Sequence, residues 1–290
     1  MTLMIALIGE QALPNLLPIR HYQPDAVLLV YTSRTEAVSN RLQALLSKDA
    51  TVHMLETDAY DIRAISLALG TELEKLKAAS LLFNLTGGTK SMVLAAYQVA
   101  QNYKAPVFYF QSEGKRSKIY YYVWESQQLV VQSQEWLPAY LTLTDFFDVQ
   151  LGREKWYVSK PGNPFEPAIA DVLKSHGYEV MCVVSAFKEQ IDIDVAIRYG
   201  NQVGIIEAKT GGKARSLEGV KQLITAVKHL GTYTRQFYVI NVLPSQSHET
   251  LMLASSIQVI SLPEYLSGMT SLTIADAEKL VAAIDNVMKD

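Results

Sequence analysis

A single cysteine among 290 residues excludes any disulfide within the chain. That residue, Cys182, lies in the apolar run VMCVVSAF, where it reads as a small buried hydrophobe rather than a nucleophile. Charge of one sign is also missing: 26 Lys and Arg stand against 29 Asp and Glu, a net of -3, so no global basic field draws the chain onto nucleic acid. No apolar run approaches the roughly 20 residues that span a bilayer, which excludes a membrane home. The apolar start, MTLMIALIG, has no basic lead and no small-residue cleavage site, and reads as a first strand rather than a signal peptide. Low-complexity segments and internal repeats are absent as well. With 49% hydrophobic and 19% charged residues, what remains is a globular protein with room for two domains, and a cytoplasmic setting is expected.

What is present is an alternation. Strand-like runs (LMIALIG, AVLLVYTS, TVHMLE, SLLFNLTGG) are each followed by a segment of helical period or a polar turn into one. Strand and helix in alternation predict a parallel sheet with helices on its faces. The run APVFYFQSEGKRSKIYYYVWE then changes rhythm and predicts an antiparallel hairpin at the sheet edge. Residues 136–162 carry no lasting period and end in Pro161 and Gly162, so they are expected to link a first domain, 1–135, to a second, 163–290. The second half follows another order, helix, three strands, helix, strand, and is a different α/β fold.

Within it, IDIDVAIRYGNQVGIIEAKTG places Asp192, Asp194, Glu207 and Lys209 in what otherwise reads as buried sheet. Gly200-Asn201 is a two-residue hairpin turn. With those residues as the loop, Tyr199 faces Gln202, Asp194 opposes Glu207, and Asp192 opposes Lys209, all four charges on one face. Opposed Cβ atoms lie about 4.5–5.5 Å apart, and like charges so placed are destabilising unless a cation lies between them. A hard divalent cation takes carboxylate oxygens, and Lys209 on the same side can orient or deprotonate a water. The pattern predicts metal-assisted phosphodiester hydrolysis; the plain alternative is a solvated sheet face with a lysine bridging carboxylates. From Gly200 to Arg235 six basic residues stand against Glu207 and Glu218, which suits a polyanion, with 210–215 (TGGKAR) placed to follow a phosphate backbone.

Residues 163–242 resemble the core of the PD-(D/E)XK nuclease superfamily, with Asp194 in its metal-binding Asp position and Glu207 and Lys209 in its (D/E)xK. The resemblance implies Mg2+ or Mn2+ held by Asp194, Glu207 and, from the first helix, Glu166. It also places Asp192 as a supporting residue and aligns Gln222 with a glutamine some relatives carry.

In the first half, NLTGGTKSM leaves a strand and enters a helix, where a Gly-rich turn and a helix N-terminus form an anion cradle. No Gly precedes Lys90, so the phosphate-loop pattern is not met and ATP hydrolysis is a poor expectation. The polar ends GEQALPN and YTSR converge on the same sheet edge, where open parallel sheets bind ligands.

LIGEQALPNLLPIR and LTGGTKSM resemble the CRISPR-associated Rossmann fold (CARF) sensor domain, and the whole chain is similar to ancillary nucleases of type III CRISPR antiviral defence that join it to a PD-(D/E)XK domain. The resemblance implies a homodimer with a cyclic oligoadenylate activator, cyclic tetra-adenylate above all. The implied ligand residues are Gln11, Asn15, Thr32, Ser33, Thr86, Gly87, Gly88, Thr89 and Lys90, and the implied activity is endonuclease cleavage of DNA or RNA. Two other functions fit these residues: a ligand-independent repair or restriction nuclease, and a non-catalytic sensor.

Overall fold

A computed structural model describes residues 1–113, 115–216, 218–248, 250 and 256–289. The chain divides into two compact units, Met1–Tyr140 and Leu141–Asp290. No helix among the described residues is long and apolar enough to cross a membrane.

The first unit runs β1 (Thr2–Leu7), α1 (Leu13–Tyr22), β2 (Ala26–Tyr31), α2 (Glu36–Leu46), β3 (Thr51–Glu56), α3 (Ile62–Leu76), β4 (Ser80–Asn84) and α4 (Lys90–Asn102). It closes with β5 (Val107–Glu113), β6 (Arg116–Glu125) and β7 (Gln128–Trp136). The sheet order is β3-β2-β1-β4-β5-β6-β7, parallel from β3 to β5 and antiparallel thereafter. Burial on both faces explains why the central strands read as unbroken apolar runs: Leu3 to Leu7 and Ala26 to Val30 are fully buried. Because β2 and β4 flank β1, the chain reverses its direction of travel across the sheet there, which opens a crevice at the carboxyl ends of β1 and β4. Capping holds the helices that border it. Asp61 accepts the Ala64 N–H at the start of α3, and Thr89 Oγ1 accepts the Met92 N–H at the start of α4.

The second unit contains α5 (Leu143–Leu151), β8 (Trp156–Val158), α6 (Phe165–Ser175), β9 (Glu179–Ala186), β10 (Ile191–Tyr199) and β11 (Gln202–Lys209). There follow α7 (Gly211–Ala214), α8 (Glu218–Leu230), β12 (Arg235–Ile240), β13 (Ile257–Ser261) and α9 (Ile274–Met288). Its sheet runs β13-β12-β11-β10-β9-β8, antiparallel from β8 to β11 and parallel from β11 to β13. One sheet face, through Val195, Ile197, Ile206, Ala208, Phe237 and Val239, packs on Phe165, Ile169 and Leu173 of α6 and Leu280 and Ile284 of α9. This is the apolar face that the alternation of β10 and β11 predicts.

Two expectations change. The stretch 136–162, expected as connecting chain, carries α5 and β8, both built into the second unit; Trp156 donates from Nε1 to Asp148 at 2.9 Å. The hairpin β5–β6 gains a third strand, β7, whose register shifts between Tyr121 and Tyr122.

Gly204 marks a close approach in β11: a Cβ there would lie 2.8 Å from Phe237 Cε2 and 3.1 Å from Ile197 Cγ1. Gly204→Ala is expected to lower unfolding stability by about 1–3 kcal/mol through overpacking. Chemical denaturation measures it, and an unchanged midpoint would show that these rings yield freely.

Candidate functional site

Two sites emerge, one in each unit. In the first, side-chain amides finish what the strands leave undone. Asn15, fully buried on α1, donates from Nδ2 to the Leu7 carbonyl at 3.0 Å. Its Oδ1 receives the Asn84 amide at 2.9 Å, and Asn84 Nδ2 also reaches the Pro14 carbonyl at 3.0 Å. Asn84 Oδ1 accepts from the Thr86 N–H and hydroxyl, while Thr86 Oγ1 accepts the Phe110 N–H at 2.8 Å. This network binds the ends of β1 and β4 to the middle of β5 in one frame. The glycine turn lies directly on it: a Cβ on Gly87 would fall 2.1 Å from the Leu7 carbonyl oxygen, and Gly88 has φ +75.

Beyond the frame opens a pocket of about 900 Å³. Of the residues expected there, Thr32, Ser33, Gly88 and Thr89 line it. Asn15, Thr86 and Gly87 build the frame instead, and Gln11 and Lys90 are outside the lining. Sequence reasoning missed the far wall, Glu56, Thr57, Asp58, Ala59 and Tyr60; Glu10 and Arg34, which also line the pocket, lie in the polar ends GEQALPN and YTSR but are not singled out there. The signal was available, since ETDAYD is as polar a strand end as the three that were read.

That wall is rigid. Asp58 Oδ1 accepts the N–H groups of Tyr60 and Asp61 at 2.6 and 2.8 Å, which hold its carboxyl below the ordinary range. Thr89 Oγ1 donates to the Ala59 carbonyl at 2.5 Å and ties the wall to the glycine turn. Arg34 pairs with Glu10 at 2.5 Å.

In the second unit the turn sets the register as expected, Tyr199 with Gln202 through to Val195 with Ile206, and there the β10–β11 ladder stops. Asp194 then takes the place of a backbone acceptor: its Oδ2 receives the Ala208 N–H at 2.7 Å and the Lys209 ammonium at 3.1 Å. Lys209 also pairs with Glu207. Asp194 and Glu207 are 8% and 2% exposed, so two buried carboxylates share one ammonium. Opposite Asp194 in the register of β9, Val183 holds a left-handed φ of 55, a conformation that costs a β-branched residue on the order of 1–3 kcal/mol.

The expected facing of Asp192 and Lys209 does not occur. With the ladder ended, Asp192 is exposed, pairs with Ser185 of β9 and accepts its hydroxyl at 2.6 Å. Glu166 is buried at the start of α6, accepting from the Gly162 N–H at 3.0 Å and Asn163 Nδ2 at 3.2 Å. Gln222, Lys213, Arg215 and Lys221 are exposed. Gly219 of α8 lies flat on the site, where a Cβ would come within 3.1 Å of Glu207 Cγ and 3.3 Å of Lys209 Cγ.

Burial, and then the Asp194 charge, push the Glu207 carboxyl up to about 8. Asp194 is raised as well, chiefly by burial, against the pull of Lys209. Glu166 is raised by burial and by Asp194, so these charges lie within reach of one another. Burial lowers Lys209, but Asp194 and Glu207 outweigh it and raise the ammonium above its usual value. Lys209 is therefore held as an ammonium between the two carboxylates. The carboxylates are hard oxygen donors of the kind Mg2+ or Mn2+ takes. Among the described residues, however, no group of three or more His, Cys, Asp or Glu is arranged to hold a metal.

An open sheet of this order, with a loop-lined pocket at its switch point, belongs to the doubly wound class of α/β folds. Residues 3–154, just over half the chain, match the Card1 CARF domain, and the chain belongs to that family. Similar solved structures include Can2 from Sulfobacillus thermosulfidooxidans in complex with cyclic tetra-adenylate (TM-score 0.74, 14% identity, 99% of this chain and 97% of that one). Protein VC1899 from Vibrio cholerae is also similar (0.71, 13%, 99% and 97%). So is a type III CRISPR defence DNA nuclease activated by cyclic oligoadenylate (0.67, 17%, 97% of this chain and 51% of that one). At these identities the likeness is one of fold. No curated protein matches.

A pH dependence follows from Glu207. In protein free of divalent cations the folded state holds the Glu207 proton more tightly than the unfolded chain, whose carboxyl titrates near 4.5. Its contribution to stability is thus complete below 4.5 and is lost as pH rises towards 8. Denaturation midpoints in chelator should fall from pH 5 to 8, and E207Q should flatten the slope; equal slopes would refute the assignment.

Proposed function

We propose that this chain is a sensor and effector in one: a cyclic oligoadenylate bound at the first unit's pocket activates metal-dependent cleavage of nucleic acid at Asp194, Glu207 and Lys209, in a homodimer serving type III CRISPR defence. The observation that carries the reading is the pair of buried carboxylates around one lysine where the β10–β11 ladder breaks. Such a site holds excess negative charge, which a fold tolerates poorly unless a cation or a proton offsets it. Membership of the CARF family and the fold likeness to Can2 with its cyclic tetra-adenylate support the sensor half.

Asp194 and Glu207 would hold Mg2+ or Mn2+, with Glu166 beside them as a further oxygen donor. The cation would supply charge neutralisation for an attacking water and for the phosphodiester oxygens. Lys209, kept as an ammonium by its two carboxylates, would hydrogen-bond a non-bridging or leaving oxygen as water adds to phosphorus and the P–O bond breaks, the water giving one proton to solvent and the leaving oxygen taking one from it. Gly219 keeps the first turn of α8 low enough for Glu207 and Lys209 to hold these positions. Loading the cation requires Glu207 to give up its proton, so activity rises with pH through the neutral range.

Labelled single- and double-stranded DNA and RNA, with Mn2+ and with cyclic tri-, tetra- or hexa-adenylate, test the reading. Cleavage is expected only with a ring present. E207Q should lower it on the order of 100-fold or more, with ring binding retained. Undiminished cleavage by E207Q would remove the active-site assignment. Full cleavage without any ring would instead favour a ligand-independent nuclease.

A further inference from the structure

One wall of the pocket carries the wrong charge for phosphate. Three carboxylates, Glu10, Glu56 and Asp58, face one cation, Arg34, whose guanidinium is already paired with Glu10 at 2.5 Å. A phosphodiester ring placed against this wall would meet net negative charge at close range. Its bases would not, because the exocyclic amine of adenine is a hydrogen-bond donor and a carboxylate accepts only. The wall also presents an aromatic face: Tyr60 is 77% exposed, on a turn clamped by Asp58 and tied through Ala59 to Thr89. An exposed ring on a clamped backbone stacks on a base at little ordering cost. Glu56, at the end of β3, is exposed and aligned with Tyr31 across the β2–β3 ladder. Asp58 spends Oδ1 on backbone N–H groups and Glu10 Oε1 is engaged by Arg34, whereas Glu56 presents its carboxylate to the pocket at the end of β3.

Resting on the sensor reading above, we propose that the β3–α3 wall is a base-reading subsite: Tyr60 stacks on a purine and Glu56 accepts its 6-amino group, so that adenine is selected over 6-oxo purines. The phosphates of the ring then lie toward the glycine turn, on the side of Gly88 and Thr89, where backbone N–H groups and the start of α4 favour anions. Read on its N7 edge, where N7 and O6 are both acceptors, a 6-oxo purine leaves two acceptors opposed at Glu56, a mismatch worth roughly 5- to 150-fold in affinity.

Calorimetric binding of cyclic tetra-adenylate, and of the same ring built from inosine, to wild type, E56Q, Y60A and Y60F tests this. Both side chains are exposed, and thermal melts of each variant verify that the fold is kept. Wild type is expected to prefer the adenine ring by about 10-fold or more, and E56Q to narrow that preference to about 3-fold or less, since an amide can also donate to the 6-oxo group. Y60A should weaken both rings by about 10-fold, while Y60F, which keeps the aromatic face, should bind as wild type does. A preference undiminished in E56Q, or wild-type affinity in Y60A, would overturn the subsite while leaving the sensor reading intact. Wild-type protein that binds neither ring, nor the cyclic tri- or hexa-adenylate, would overturn both.

Discussion

Where a β-ladder ends inside a protein, the N–H and C=O groups it would have paired still need partners, and both candidate sites are built from side chains that meet this need. In the first unit the Asn15 amide takes the Leu7 carbonyl at the end of β1, and Asn84 at the end of β4 holds Thr86 beneath the glycine turn. In the second, Asp194 takes the Ala208 N–H just past the last β10–β11 pair. A functional edge thus begins where backbone pairing gives way to side-chain pairing. The polar groups there are fixed in direction by necessity before any ligand arrives.

The two edges use charge in opposite ways. In the second unit carboxylates are buried around one ammonium, and low dielectric makes their repulsion felt as a retained proton. In the first, carboxylates stand at an open pocket, screened by water and held by turns rather than by burial. The first arrangement stores electrostatic tension that a cation can relieve. The second stores almost none and offers acceptors in fixed directions instead. A β-branched residue in a left-handed conformation, Val183, stands beside the tense site, which is where backbone strain commonly concentrates.

Much of this was legible in the sequence, because the informative residues act locally. Fully buried parallel strands show as unbroken apolar runs, and the Gly200-Asn201 turn fixes which residues of β10 and β11 face each other. Less legible were elements whose signals are short or depend on distant partners. Strand β8 has three residues and exists by pairing with β9; β7 follows a tight turn at Ser126, with φ 58. Helix α9 did carry a local signal, Thr273 capping the N–H of Asp276 ahead of an amphipathic run. Asp192 illustrates the limit. Period two put it on the correct face, but only the tertiary competition for the Ala208 N–H decided that the ladder would end before reaching it.

Thr89 joins several of these themes in a single hydroxyl. Its one proton goes to the Ala59 carbonyl, and a lone pair of the same oxygen receives the Met92 N–H that opens α4. The acidic wall and the first turn of α4 are consequently joined through a single oxygen atom, a shared pin beneath the pocket.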